Sequence, residues 1–224
     1  MKALILAAGR GERMRPLTDH TPKPLLQVRG KALIEWHLEA LARDGVREVV
    51  INTAWLEEQF PAALGDGSRW GLSIAYSMEG AAFGGALETA GGIANALPLL
   101  DCGDEPFWVI SGDVYTPGFR FDRDARDVPL AHLWLAPNPP HHPRGDFAID
   151  AHGLAVREGE PRYTWTSIGL YRAAMFDGIA PGTHAALRPL LERAIDARRL
   201  GAERYDGAWT DVGTPERLMA LNNA

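Results

Sequence analysis

Ala3-Leu4-Ile5-Leu6-Ala7-Ala8-Gly9-Arg10-Gly11 opens the chain, and its reading decides the fold. Ala3 to Ala7 is a continuous apolar run, as a parallel strand buried on both faces requires, and Gly9 and Gly11 break it into a loop. Leu33, Ile34, His37, Leu38 and Leu41 then recur at helical spacing, Gly45 supplies a stop, and Val46 to Ile51 forms a second apolar strand. Strand, crossover helix and strand make a right-handed βαβ unit.

The alternation continues outward. Trp55 to Leu64 reads as helix, Leu72, Ile74, Tyr76 and Met78 as an alternating strand, and Thr89 to Leu97 as helix. Phe107 to Ser111 is another apolar strand, ending at Gly112-Asp113. The rhythm then turns strand-rich, with Leu130 to Leu135, Phe147 to Ile149 and Thr164 to Tyr171. A helix covers about Ala185 to Arg199, interrupted or begun near Pro189. A short strand follows around Trp209, then Thr214 as N-cap with Pro215 at the first helical position. These elements predict an α/β fold: a Rossmann-like, doubly wound, mostly parallel sheet with a β-rich insertion in its second half. No repeat or linker divides the chain, so residues 1–224 are expected to form one domain. Asn138-Pro139-Pro140-His141-His142-Pro143 is a loop too short to separate two.

With 224 residues and 46% hydrophobic content, the chain can bury a full core. Neither end reads as a signal peptide and no apolar stretch is long enough to span a bilayer, which excludes a membrane partner. The single cysteine, Cys102, fits a reducing, cytoplasmic setting and reads as an idle loop thiol. A net charge of −6 argues against nucleic-acid binding. Residues 1–31 nevertheless hold Lys2, Arg10, Arg13, Arg15, Lys23, Arg29 and Lys31 against Glu12 and Asp19 alone, a local positive field suited to a small polyanion.

Glycines after a first strand let backbone N–H groups approach phosphates closely. Two familiar versions fail here. Met14 stands where the dinucleotide fingerprint wants a small residue, and the Gly-Lys-Ser/Thr of the P-loop is missing. The loop continues instead as Glu12-Arg13-Met14-Arg15-Pro16-Leu17-Thr18, followed by Pro22-Lys23-Pro24. Arg13 supplies a bidentate fork for phosphate oxygens, and Lys23, stiffened between prolines, supplies a point charge.

Ala7-Ala8-Gly9 to Thr18 with Pro22-Lys23-Pro24 closely resembles the signature of the sugar-1-phosphate nucleotidylyltransferases, every fixed position being present. The resemblance runs on through Leu87 to Gly91, Ser111-Gly112-Asp113, Gly145-Asp146-Phe147, Glu160-Pro161, Ser167 to Tyr171 and Trp209 to Pro215. It implies a nucleotide-diphospho-sugar transferase fold whose β-rich part binds sugar. It implies nucleotide contacts from Ala8, Gly9, Gly11, Glu12, Arg13, Lys23, Glu79 and Glu88, with Arg13 and Lys23 catalytic. Asp113, Gly145, Asp146, Glu160 and Thr166 would face the sugar phosphate, and Asp113 and Asp211 would hold Mg2+. Each aspartate ends a strand, where ligands of open α/β sheets collect.

Many members carry Glu-Lys-Pro where this chain has Glu160-Pro161-Arg162, so one phosphate contact is lost or supplied differently. Glu88 stands where relatives often have Gly. The compact length, with Leu87 to Gly92 and His142 to Phe147, looks most like members that join UTP to N-acetylmuramate-1-phosphate. Mannose-1-phosphate guanylyltransferases and other hexose-1-phosphate nucleotidylyltransferases are the alternative. Arg144 or Arg162 is the candidate cation for a lactyl carboxylate. His141 and His142 read as loop, and Trp55 and Trp70 as core or sugar stacking. A monomer or weak homo-oligomer is expected. A non-catalytic regulatory subunit is disfavoured by the intact Arg13, Lys23, Asp113 and Asp211, and a nicotinamide oxidoreductase by Met14.

Overall fold

Side chains of the first strand, β1 (Lys2–Leu6), alternate between two helical layers. Ala3 and Ile5 join the cluster containing Ile34, Leu38 and Leu41, whereas Leu4 joins that of Ala90, Ile93 and Ala94. A strand buries both faces only where helices cover both, which is the physical basis of double winding. The computed structural model describes residues 1–122 and 128–223.

From β1 the chain runs through β2 (Gln27–Val28), β3 (Lys31–Ala32), α1 (Leu33–Arg43), β4 (Glu48–Thr53) and α2 (Gln59–Leu64). β5 (Ser73–Met78), α3 (Glu79–Phe83), α4 (Glu88–Leu100), β6 (Phe107–Ser111) and β7 (Val114–Tyr115) follow. The strand-rich half holds β8 (Ala131–Ala136), β9 (Phe147–Ile149), β10 (Ala155–Val156) and β11 (Arg162–Tyr171). The last elements are α5 (Arg188–Asp196), β12 (Leu200–Arg204), β13 (Thr210–Asp211) and α6 (Pro215–Asn223).

β6, β1, β4 and β5 lie side by side and parallel. β4 flanks β1 on one side and β6 on the other, so the winding reverses between β1 and β6. That reversal opens a crevice beyond the strands' carboxyl ends, the usual ligand position in such sheets. The glycine loop leaves β1 into this crevice and Asp113 leaves β6 into it. β11 continues the sheet antiparallel to β6 and extends past it to pair with β9, while β8 and β12 attach to β11 in turn. The register of β11 against β8 shifts between Trp165 and Gly169, with Ser167 at φ 61°.

Two expected helices begin later than their periodicity suggests, α2 at Gln59 and α5 at Arg188. Both carry proline in the first turn, Pro61 and Pro189, where its missing N–H costs no helical bond. β12 was not legible because Leu200-Gly-Ala-Glu-Arg alternates only weakly; it pairs with β8 and buries Leu200 and Ala202. Among the described residues, no helix is long and apolar enough to cross a membrane.

Candidate active site

A cavity of about 250 Å3 occupies the crevice. The loop after β1 borders it with Ala8, Gly9 and Gly11, and Gly11 adopts φ 69°, a left-handed turn that a side chain disfavours. The chain then tightens into a turn over Glu12–Met14, and Met14 is fully buried with Val28, Leu33, Tyr115, Val212 and Leu218. Met14 therefore anchors the loop to the segments that carry the two aspartates, which explains why no third small residue is needed.

The basic residues of this segment divide sharply. Arg10 donates to Thr18 O and Asp19 and stacks on Trp55, 3.8 Å from the ring centroid. Arg15 pairs with Asp19, Lys2 with Glu48 and Lys31 with Glu39. Arg29 donates to Leu221 O. Arg13 alone makes no hydrogen bond or ion pair among the described residues, and its guanidinium lies beside Gly213. The positive field expected from composition is thus largely neutralised locally, leaving Arg13 as the open cation. Glu12 does not line the cavity; it points to solvent beside Arg10 and Arg15.

Glu79 corrects the expectation that it faces base and ribose. It is fully buried beneath the cavity and accepts from Asn52 Nδ2 at 2.7 Å and from Leu87 N at 2.8 Å. Burial pushes its carboxyl up, against the opposing effect of those two bonds. Asn52 Oδ1 in turn accepts from Ala7 N at 2.9 Å. One buried carboxylate therefore ties the glycine loop to the Leu87–Glu88 wall opposite. Asn52 went unnoticed in the sequence; its signal was a polar residue at the end of an apolar parallel strand.

Asp113 and Asp211, far apart in sequence, are brought together by the antiparallel pairing of β7 with β13, in which Asp211 lies opposite Val114. Val212 N donates to Asp113 O at 2.8 Å, closing that junction. Lys23 Nζ lies 2.6 Å from Asp113 Oδ2, and Ser111 donates to Oδ1 at 2.6 Å. Burial alone would raise the Asp113 carboxyl; the Lys23 charge and these bonds hold it below the ordinary carboxylate range. On Asp211, Oδ2 is engaged by Arg217. Its Oδ1 is buried with no aligned hydrogen bond, although His141 Nε2 approaches at 3.0 Å. Arg217 and His141 were not singled out as neighbours of Asp211, since nothing in their spacing pairs them with it.

This donor set fits magnesium. Among the described residues no three His, Cys, Asp or Glu side chains converge as a metal cage. Two carboxylates, Asp113 and Asp211, carried to one junction by the pairing of β7 with β13, are a set that magnesium takes when phosphates and water complete its shell.

A second cleft of about 720 Å3 is lined by Gly145, Asp146 and Glu160 together with Arg144 and Arg188. Gly145 sits at φ 60°, and a Cβ there would lie 2.8 Å from Tyr163 O. Asp146 accepts from Trp165 N at 2.9 Å and approaches His142 at 3.2 Å. Arg162 is committed: it donates to the carbonyls of Arg144, Gly145, Asp146 and Arg157, bracing the loop. Arg144 carries no side-chain partner among the described residues. Thr166 corrects another expectation, being fully buried at the β11 irregularity with its hydroxyl on Trp134 O. Arg10 stacks on Trp55 and Arg69 on Trp70, each 3.8 Å from the ring centroid, and neither ring lines the two cavities.

The nucleotidyl transferase family matches residues 2–122, which include the glycine loop, Lys23 and Asp113. N-acetylmuramate alpha-1-phosphate uridylyltransferase of Neisseria meningitidis is 52% identical, over 97% of this chain and 95% of that protein. The enzyme of the same name from Caulobacter vibrioides is 33% identical, over 97% of this chain and 94% of that protein. A crystal structure from Bacillus anthracis assigned to glucose-1-phosphate thymidylyltransferase superposes with TM-score 0.81 at 22% identity, covering 100% of this chain and 94% of that one. That likeness speaks to the fold alone. With a glycine loop, Lys23 and Asp113 lining one crevice, and relatives matched over nearly their whole length, this chain belongs to the nucleotidyl transferase family, among its sugar-1-phosphate nucleotidylyltransferases.

Proposed function

We propose that this chain transfers the uridylyl group of UTP to N-acetylmuramate 1-phosphate, giving UDP-N-acetylmuramate and pyrophosphate. The observation carrying the chemistry is Lys23 held 2.6 Å from Asp113 at the cavity between β1 and β6. The choice of uridylyl and muramyl groups rests on the extent of identity to the Neisseria enzyme. We assign the reaction to cytoplasmic peptidoglycan recycling, performed by one catalytic domain that is monomeric or weakly self-associating, without nucleic-acid or membrane partners.

An acceptor phosphate oxygen attacks the α-phosphorus in line, the bond from that phosphorus to the bridging oxygen breaks, and pyrophosphate leaves with the electron pair. The attacking phosphate is already anionic, so no general base is required. Transfer of this kind depends on positioning and charge neutralisation more than on covalent chemistry. Ala8 and Gly9 border the nucleoside with backbone. Lys23 neutralises charge on the α-phosphoryl oxygens, and Arg13, without a partner among the described residues, receives the departing pyrophosphate with its fork. Asp113 and Asp211 would hold magnesium, which would supply further charge neutralisation at the phosphates. Gly145, Asp146 and Glu160 hold the acceptor sugar, and Arg144, without a side-chain partner among the described residues, meets its lactyl carboxylate.

Magnesium-dependent pyrophosphate release tests this across four nucleoside triphosphates crossed with the 1-phosphates of N-acetylmuramate, N-acetylglucosamine, mannose and glucose. The expected preference is UTP with the muramate. Preference for GTP with mannose 1-phosphate overturns the substrate assignment, and no release from any pair overturns the catalytic one.

A further inference from the structure

Adjacent histidines in the loop between β8 and β9 face aspartates of two different subsites. His142 Nε2 lies 3.2 Å from Asp146 Oδ1 in the second cleft, and His141 Nε2 stands 3.0 Å from Asp211 Oδ1 at the end of β13. An ionised carboxylate only accepts hydrogen bonds, so each imidazole presents its Nε2–H. Asp146 Oδ2 is already taken by Trp165 N at 2.9 Å, and Asp211 Oδ2 by Arg217. In both carboxylates the remaining oxygen is the one a histidine meets. The loop does not need these contacts to fold. Asn138 donates to Pro143 O at 3.2 Å and to Arg162 O at 3.1 Å and accepts from Thr164 Oγ1 at 2.9 Å. Pro139, Pro140 and Pro143 restrict its backbone further. The side chains of His141 and His142 are 38% and 41% exposed, and contacts so open to water add little stability.

What the pair fixes is position. Asp211 lies opposite Val114, and Val212 N donates to Asp113 O at 2.8 Å, beside the 2.6 Å contact of Asp113 with Lys23. The two histidines therefore complete a continuous path from Asp146 in the second cleft to Lys23 in the first. Transfer requires the acceptor phosphate to meet the α-phosphorus in line, so the two cavities must keep a fixed relation. A displacement of about 1 Å can cost on the order of a hundredfold in rate. We propose that His141 and His142 are positioning residues that hold the acceptor cleft in register with the nucleotide cavity. His142 orients the Asp146 carboxylate, and His141 seats the loop against Asp211. This inference rests on the assignment of the second cleft to the acceptor sugar.

Alanine and glutamine variants at each position test this, glutamine keeping an N–H donor at similar reach. Steady-state constants for UTP and N-acetylmuramate 1-phosphate are measured alongside calorimetric binding of the 1-phosphate and thermal unfolding. His142→Ala is expected to raise KM for the 1-phosphate and weaken its binding roughly tenfold, the scale of one hydrogen bond to a charged group. Its KM for UTP should stay at the wild-type value. His141→Ala is expected to lower kcat roughly tenfold or more while binding of the 1-phosphate stays within about twofold, because the cleft persists but loses its register. Thermal midpoints should move by no more than about 4 °C in either variant. His141→Gln and His142→Gln should each recover most of the loss. Wild-type constants in either alanine variant overturn the inference, as does a loss that glutamine leaves uncorrected. A wild type that neither binds nor turns over the 1-phosphate overturns the acceptor reading of the cleft and this inference with it, a result distinguishable because it precedes any substitution.

Discussion

Lys23 shows how a residue of ordinary appearance acquires a role from its neighbours. In sequence it is a lysine in a proline turn; in the fold its ammonium is mostly buried against Asp113. Lys23→Ala is expected to reduce turnover at least about a hundredfold, the scale of one transition-state charge contact. Near-normal steady-state rates in that variant contradict the assignment. His37 teaches a different lesson. It belongs to the apolar stripe of α1 and is buried, with Nε2 2.8 Å from Val114 O, and burial drives its imidazole down to about 4. Because the folded value lies below the unfolded one, the stabilisation is complete above about pH 6.5 and is lost as pH falls toward 4. The difference amounts to about 3 kcal/mol across that window. Urea unfolding of His37→Gln should lack this component between pH 6.5 and 4, whereas a parallel pH profile for both proteins speaks against it.

Among the elements, α4 is placed by absent side chains. A Cβ on Gly91 would lie 2.2 Å from Thr183 O, and one on Gly92 would lie 2.6 Å from Asn52 Nδ2 and 2.8 Å from Glu79 Oε1. Only glycine lets the helix come close enough to β4 for the buried Glu79–Asn52 pair to form. Gly92→Ala is expected to lower stability by about 1–3 kcal/mol, as overpacking does, and to weaken nucleotide binding, since it strikes the brace joining both cavity walls. Denaturant midpoints and UTP titration check both effects; loss of stability with unchanged affinity would disconnect brace from site. The β7–β13 pair works in a complementary way. Two residues on each strand bring Asp211 opposite Val114, and the cluster around Met14 seals that junction to the glycine loop.

At the level of the whole molecule, double winding concentrates function where the two halves of the sheet diverge. The apolar strands carry polar residues at their ends, Asn52 after β4's hydrophobic stretch and Ser111 at the end of β6, and these meet at the crevice. Among the described residues, the large hydrophobic side chains that remain exposed are Met1, Leu17, Phe83, Leu99 and Met219. A net charge of −6 works against self-association. Sedimentation at low micromolar concentration should therefore give a mass near 24.4 kDa; a mass of twice that value, independent of concentration, would contradict it.

The parallel strands β6, β1, β4 and β5 and the crevice at their carboxyl ends were legible in the sequence, whereas β12 was not. Strand burial is written in continuous apolar runs, helix faces in their periodicity, and the glycine loop in residues whose backbone freedom is local. Lys23, Asp113 and Asp211 were legible as individuals through the motif they share with a family. Their surroundings depend on contacts between residues far apart in sequence. The tertiary structure placed Glu79 and Thr166 inside, committed Arg162 to four carbonyls, left Arg13 without a partner among the described residues and brought His141 and Arg217 to Asp211. The physical reason is range. Propensity and periodicity act over a few residues, whereas a hydrogen bond between Lys23 and Asp113 spans 90 positions and exists only once the sheet has formed.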